Sequence, residues 1–164
     1  MTRRARIAVS GDPTAVAFAR DRVTNQIQAW GVQLGEEKLN AVELVASELI
    51  TNAVVHAGGL ITIGLYLDED RLLLVVHDSS PEPPSRQITT ENDEGGRGLV
   101  LVEFLATRHG WEPTAHGKKV WAEFVVPVSV PAARGGLLHE RLRAAAPQTF
   151  VHVMPERFAL APGM

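Results

Sequence analysis

The sequence predicts an α/β domain in which helices and strands alternate along the chain instead of occupying separate halves. Three observations carry this expectation. Of 164 residues, 45% are hydrophobic and 21% charged, which is close to the averages of folded globular domains, and the length suits one core with a short appendage. Two long stretches, 12–30 and 36–57, carry helix start and stop signals. Two shorter runs, 60–67 and 71–76, are rich in Ile, Val and Leu and are separated by a polar turn, the pattern of a hairpin.

Residues 5–9 alternate well enough for an opening strand. Asp12-Pro13 then reads as a helix N-cap followed by proline at the first helical position, and Gly31 closes that helix after Trp30. The second helix begins at Glu36 and runs through a dense apolar stretch to Ala57, where Gly58-Gly59 stop it. Asp68-Glu69-Asp70 join the two hairpin strands. From Ser79 to Gly98 the chain turns polar, with Pro81, Pro83, Pro84 and a closing glycine cluster. This connection is much longer than the usual ~4–6 residues, as in functional lids and disordered segments. Residues 99–107 form a short apolar helix, 109–112 a strand, and 120–128 a closing strand by their alternation. Beyond Pro131 the composition shifts toward Ala, Arg, Pro and Gly, and Leu137, Leu138, Leu142 and Ala145 suggest one short amphipathic helix. The expected organisation is therefore a domain over 1–130 and an appendage over 131–164.

The formal charge of −3 supplies no basic field for neutralising nucleic-acid phosphates, so a protein partner or a small ligand is favoured over direct nucleic-acid binding. Cysteine is absent, which removes disulfides and thiolate metal sites and suits a reducing cytoplasm. The basic start, Thr2-Arg3-Arg4-Ala5-Arg6, is followed by too short an apolar stretch for a secretory signal. No apolar run approaches the roughly 20 residues of a membrane-spanning helix.

Glu48, Asn52 and His56 recur every fourth residue on the second helix and share one stripe of its surface. Each alone reads most simply as a solvated position. Together, among Leu44, Val45, Leu49, Ile50, Val54 and Val55, they read as functional, because those neighbours leave little room for a solvent-facing side and polar groups there need partners. An Asn offers a neutral oxygen to a hard cation such as Mg²⁺, which takes few protein ligands when phosphates and water complete its shell. A carboxylate at Glu48 suits a general base. His56 either contacts phosphate or fills a polar niche.

Asp78 ends a hydrophobic strand and precedes Ser79-Ser80-Pro81. A carboxylate there can accept a hydrogen bond from an exocyclic amine, although Asp before a turn is common. Gly95-Gly96-Arg97-Gly98-Leu99 closes the long loop and opens a helix, so backbone N–H groups and the positive helix end can face an anion. Neither the GxxxxGK[ST] loop nor a strand feeding GxGxxG is present. His77, His109, His116, His139 and His152 share no metal-site spacing, and Trp111 and Trp121 read as sheet residues.

The order of these motifs resembles the GHKL ATPase superfamily, with the Bergerat fold. The segment Glu48-Leu49-Ile50-Thr51-Asn52-Ala53-Val54-Val55-His56 is similar to its Asn box. Asp78-Ser79-Ser80-Pro81 is similar to its first glycine box, and Gly95-Gly96-Arg97-Gly98-Leu99 to its second. The resemblance spans about residues 12–127 and is nearest in character to bacterial anti-sigma-factor serine/threonine kinases. It implies a two-layer α/β sandwich, a mixed, mainly antiparallel sheet with helices on one face, and ATP under a lid formed by residues 81–96. It implies that Asn52 binds Mg²⁺, Glu48 is the base, Asp78 holds the adenine amine, and Gly96 and Gly98 border the phosphates with Arg97 and Leu99 beside them. The implied partners are a sigma factor or an anti-sigma-factor antagonist, and the chain can form a homodimer. Three positions depart from the pattern. Ser80 replaces a glycine, Val55 stands where histidine kinases carry a basic residue, and Lys119 occupies the place of a Thr or Ser that helps hold adenine through water. Beside the kinase stand two other readings, a non-catalytic ATP-gated binding module and a detached histidine-kinase-like ATPase domain.

Overall fold

The computed structural model describes residues 1–84 and 98–127. Its elements run β1 (Arg3–Ser10), α1 (Ala15–Ala29), α2 (Glu36–His56), β2 (Leu60–Asp68), β3 (Arg71–Asp78), α3 (Gly98–Leu105), β4 (Arg108–Thr114) and β5 (Gly117–Val125). The strands form one five-stranded sheet in the order β1-β2-β3-β5-β4, and every described pairing is antiparallel. The expected two-layer α/β sandwich is therefore the fold.

Local chemistry sets the boundaries. The Asp12 carboxylate accepts the Thr14 N–H at 2.9 Å and the Thr14 hydroxyl at 3.0 Å, while the Ala15 N–H donates to the Asp12 carbonyl at 2.9 Å. Pro13 and Thr14 thus make a preceding turn, and α1 proper begins at Ala15, slightly later than a proline at the first helical position implies. At the other corner, Gly58 and Gly59 adopt φ of 63° and 69°. L-residues avoid this region, and it ends α2 as glycines commonly do.

The strand period of two and the helix period of 3.6 meet in one core. Ile61, Ile63 and Leu65 of β2, Leu72, Leu74 and Val76 of β3, and Ala122 and Phe124 of β5 pack with Val23 and Ile27 of α1, Leu49 and Ile50 of α2, and Val102 of α3. The three described helices therefore cover one face of the sheet. On the other face Leu73, Val75 and Trp121 form a smaller buried cluster with Tyr66. The whole run from Leu72 to Val76 is buried, so β3 reads as a continuous apolar stretch and not as an alternating one. Between the helices, the Thr24 hydroxyl donates to the Arg20 carbonyl at 3.2 Å and lies 3.4 Å from a Glu43 carboxylate oxygen.

Two expectations are corrected. The closing strand begins at Gly117, not at residue 120, because two lysines continue the β pairing where polarity concealed it. Moreover, α2 does have a solvent side. Leu44 is 39% exposed and Val55 68%, with Asn40 and Thr51 on the same exposed stripe. The amphipathic helix expected near residues 137–145 and most of the expected lid lie outside the described residues. Among the described residues, no helix is long and apolar enough to cross a membrane.

Candidate functional site

The Glu48, Asn52 and His56 stripe runs along the border between the buried and exposed faces of α2. Glu48 and Asn52 are half-buried and His56 is exposed. Partial burial disfavours the ionised carboxylate and pushes the Glu48 pKa up.

Opposite this stripe, β3 delivers Asp78 on the same sheet face as Leu74 and Val76. Asp78 is buried, and the Ser80 N–H donates to its Oδ1 at 2.9 Å, closing a small turn of the type Asp favours. Ser80 adopts no positive φ, so replacing a glycine there forces no strain on this turn. The Ser80 hydroxyl in turn accepts the Glu82 N–H at 3.3 Å.

These groups converge on a pocket of about 50 Å³ lined by Leu49, Asn52, Ala53 and His56 from α2, Asp78 at the end of β3, Ser80, Glu82, Pro83 and Pro84 after it, and Lys118 and Val120 from β5. The sequence-predicted Asn52, His56, Asp78 and Ser80 therefore meet in one place. Glu48 is not part of the wall and stands one helical turn from Asn52. Gly98 opens α3, and Leu99 lines a neighbouring apolar pocket of about 300 Å³ that shares Pro84 and Val120 with the first. Gly95, Gly96 and Arg97 lie outside the described residues.

The expectation for Lys119 is corrected by the strand register. Asp78 pairs with Lys118, and His77 with Lys119. Successive side chains point to opposite faces, so Lys119 leaves the pocket side and its Nζ lies 2.9 Å from Glu112 Oε2. The residue beside Asp78 is Lys118, which sequence reasoning missed. Its Nζ donates to Asp78 Oδ1 at 3.1 Å and to the Ser80 carbonyl at 3.4 Å. The signal was available: Val120, Ala122 and Phe124 face the core, and the same period carried back two residues reaches Lys118.

Gly117 fixes this arrangement. A Cβ there would lie 1.9 Å from the Asp78 carbonyl oxygen and 2.7 Å from the Ser79 Cα, both backbone atoms that cannot swing aside. Only glycine lets β5 approach the end of β3 this closely. On the far sheet face, burial lowers the His77 pKa, and the positive charges of Lys119 and Arg6 add to the effect against a smaller opposing influence of Asp78.

The pocket therefore offers a buried carboxylate for a hydrogen-bond donor and a neutral amide oxygen for a cation or a polar group, with a half-buried carboxylate whose pKa burial raises one helical turn away. No curated protein matches the chain. The family model of the histidine kinase-like ATPase domain matches residues 9–124, a span that contains the whole pocket, and the chain belongs to that family.

Proposed function

We propose that this chain binds Mg-ATP in the Asp78 pocket and acts as a protein serine/threonine kinase of the anti-sigma-factor type, regulating a partner by binding and by phosphorylation in the cytoplasm. The observation that carries the reading is the convergence of Asp78 and Asn52, from β3 and α2, on one pocket with Glu48 a turn away. The residues fit the ligand. Asp78 is a buried acceptor suited to the amine of adenine. A cation here would take the Asn52 amide oxygen as a protein ligand and complete its shell with phosphate and water, as Mg²⁺ commonly does.

Mg-ATP supplies the transferable phosphoryl group. The chain's own tasks are then to seat the base against Asp78, to hold the cation at Asn52, and to take the proton of an attacking hydroxyl at Glu48. A carboxylate whose pKa is raised by burial suits that last task, since a base works best with a pKa nearer the working pH. A sigma factor or its antagonist is the proposed partner. A second reading, a nucleotide-gated binding module without phosphotransfer, is favoured by one observation, that Glu48 stands outside the pocket wall.

Two variants separate the readings. Glu48→Ala should retain Mg-ATP binding while phosphotransfer to the partner falls by roughly 10²–10⁴-fold. Asn52→Ala should lose Mg-dependent nucleotide binding together with activity. If labelled ATP yields no phosphoserine or phosphothreonine on a bound partner, and Glu48→Ala regulates that partner normally, the kinase reading fails and the binding module replaces it.

A further inference from the structure

We propose that Lys118 is a built-in competitor for the nucleotide: its ammonium holds the carboxylate that reads the base, and the base enters only as the Lys118–Asp78 ion pair opens. The inference rests on the reading of Asp78 as the acceptor for a purine amine and adds to it the regulation of that acceptor.

The burial and chemistry of the pair support it. The pair is sequestered, with side chains only 5% and 2% exposed at an Nζ–Oδ1 distance of 3.1 Å. An ammonium presents donors and no acceptor, so it occupies the carboxylate as an exocyclic amine would. Because it is charged, its hydrogen bond is stronger than that of a neutral amine. Adenine therefore does not displace it on equal terms and must gain elsewhere, at the cation site or by stacking.

Lys118 and Asp78 both line the pocket, so the ammonium stands where a base must come to reach the carboxylate. Lys118 also donates to the Ser80 carbonyl at 3.4 Å, which ties the turn after β3 to β5. The same side chain thus caps the acceptor and holds the turn that follows it.

The release route is set by the backbone. The contact of Gly117 with Asp78 and Ser79 and the pairing of β5 with β3 hold the strand in place, so the pair opens by rotation of the lysine side chain. Its long flexible stem lets the ammonium reach water while the methylenes stay against the wall.

The test is calorimetric titration of Mg-ATP into the full chain carrying Lys118→Met or Lys118→Gln. Removing the competitor should tighten binding on the order of tenfold or more relative to wild type. Affinity that is unchanged or weaker in the folded variants overturns the proposal while leaving Asp78 as the base acceptor. Failure of folded wild type and of both variants to bind any Mg-nucleotide overturns this proposal and the nucleotide reading together. A wild-type measurement guards against variants that do not fold. Acylation of Lys118 by an amine-reactive ester, followed by peptide mass spectrometry, should rise when saturating Mg-ATP is added. Unchanged or reduced labelling overturns the proposal.

Discussion

Substituting Gly117 with alanine tests the geometry on which the site depends. The added Cβ would lie 1.9 Å from the Asp78 carbonyl oxygen and within 2.8 Å of two Ser79 backbone atoms. Nothing flexible can yield, so the end of β3 and the start of β5 must separate. Forcing a methyl into packed structure costs about 1–3 kcal/mol. For a chain of this size that lowers the melting temperature by about 2–12 °C. Gly31→Ala is the control, because Gly31 has φ of 76° but nothing within 4 Å of its Cβ. That substitution meets only the left-handed backbone penalty of about 1–2 kcal/mol at a site remote from the pocket. Differential scanning fluorimetry with and without Mg-ATP reads both quantities. Gly31→Ala should keep its nucleotide-induced thermal shift, and Gly117→Ala should lose most of it, since the clash displaces the end of β3 that carries Asp78 out of line with Asn52. Wild-type stability and a wild-type nucleotide shift in Gly117→Ala would refute the claim that the approach of β5 to Asp78 shapes the site.

Two pH dependences of opposite sign follow from burial. The folded His77 binds its proton less readily than the unfolded chain does, so its contribution to stability is present above its ordinary pKa of about 6.5 and is lost as the pH falls through the lowered folded value. Urea unfolding between pH 7.5 and 5.5 should show a smaller loss of stability in His77→Asn than in wild type, and equal losses would refute the assignment. Glu48 behaves in reverse, because its folded pKa is raised: its ionisation destabilises the fold as pH rises through that value. Glu48→Gln should therefore be more stable than wild type near neutrality and indistinguishable from it near pH 4, and a variant less stable at neutral pH would contradict the burial effect.

Much of this was legible in the sequence because burial period and element type agree there. The Ile-Thr-Ile-Gly-Leu alternation of β2, the unbroken apolar run of β3 and the glycines after α1 and α2 each specify their element from local chemistry. Asn52, His56 and Asp78 were legible because a polar stripe on an apolar helix and a carboxylate at a strand end are both conspicuous. Lys118 was legible only in part. The alternation of Val120, Ala122 and Phe124 carried back two residues sets it on the core face, but its meeting with Asp78 is tertiary, because the register with β3 pairs Lys118 with Asp78 and leaves Lys119 to Glu112. The exposure of Leu44 and Val55 was equally hidden, since hydrophobicity alone does not say which side of a helix lacks a neighbour.

The central claim, that the Asp78 pocket is a nucleotide site, is tested most directly by isothermal titration of Mg-ATP into wild type and Asp78→Asn. The substitution keeps shape and removes the charge that strengthens the bond to the amine, worth about 1.5–3 kcal/mol. The account predicts saturable binding by wild type and an affinity about 10–150-fold lower in the folded variant. Equal affinities in the two proteins, or folded wild type that does not bind Mg-ATP, would contradict it.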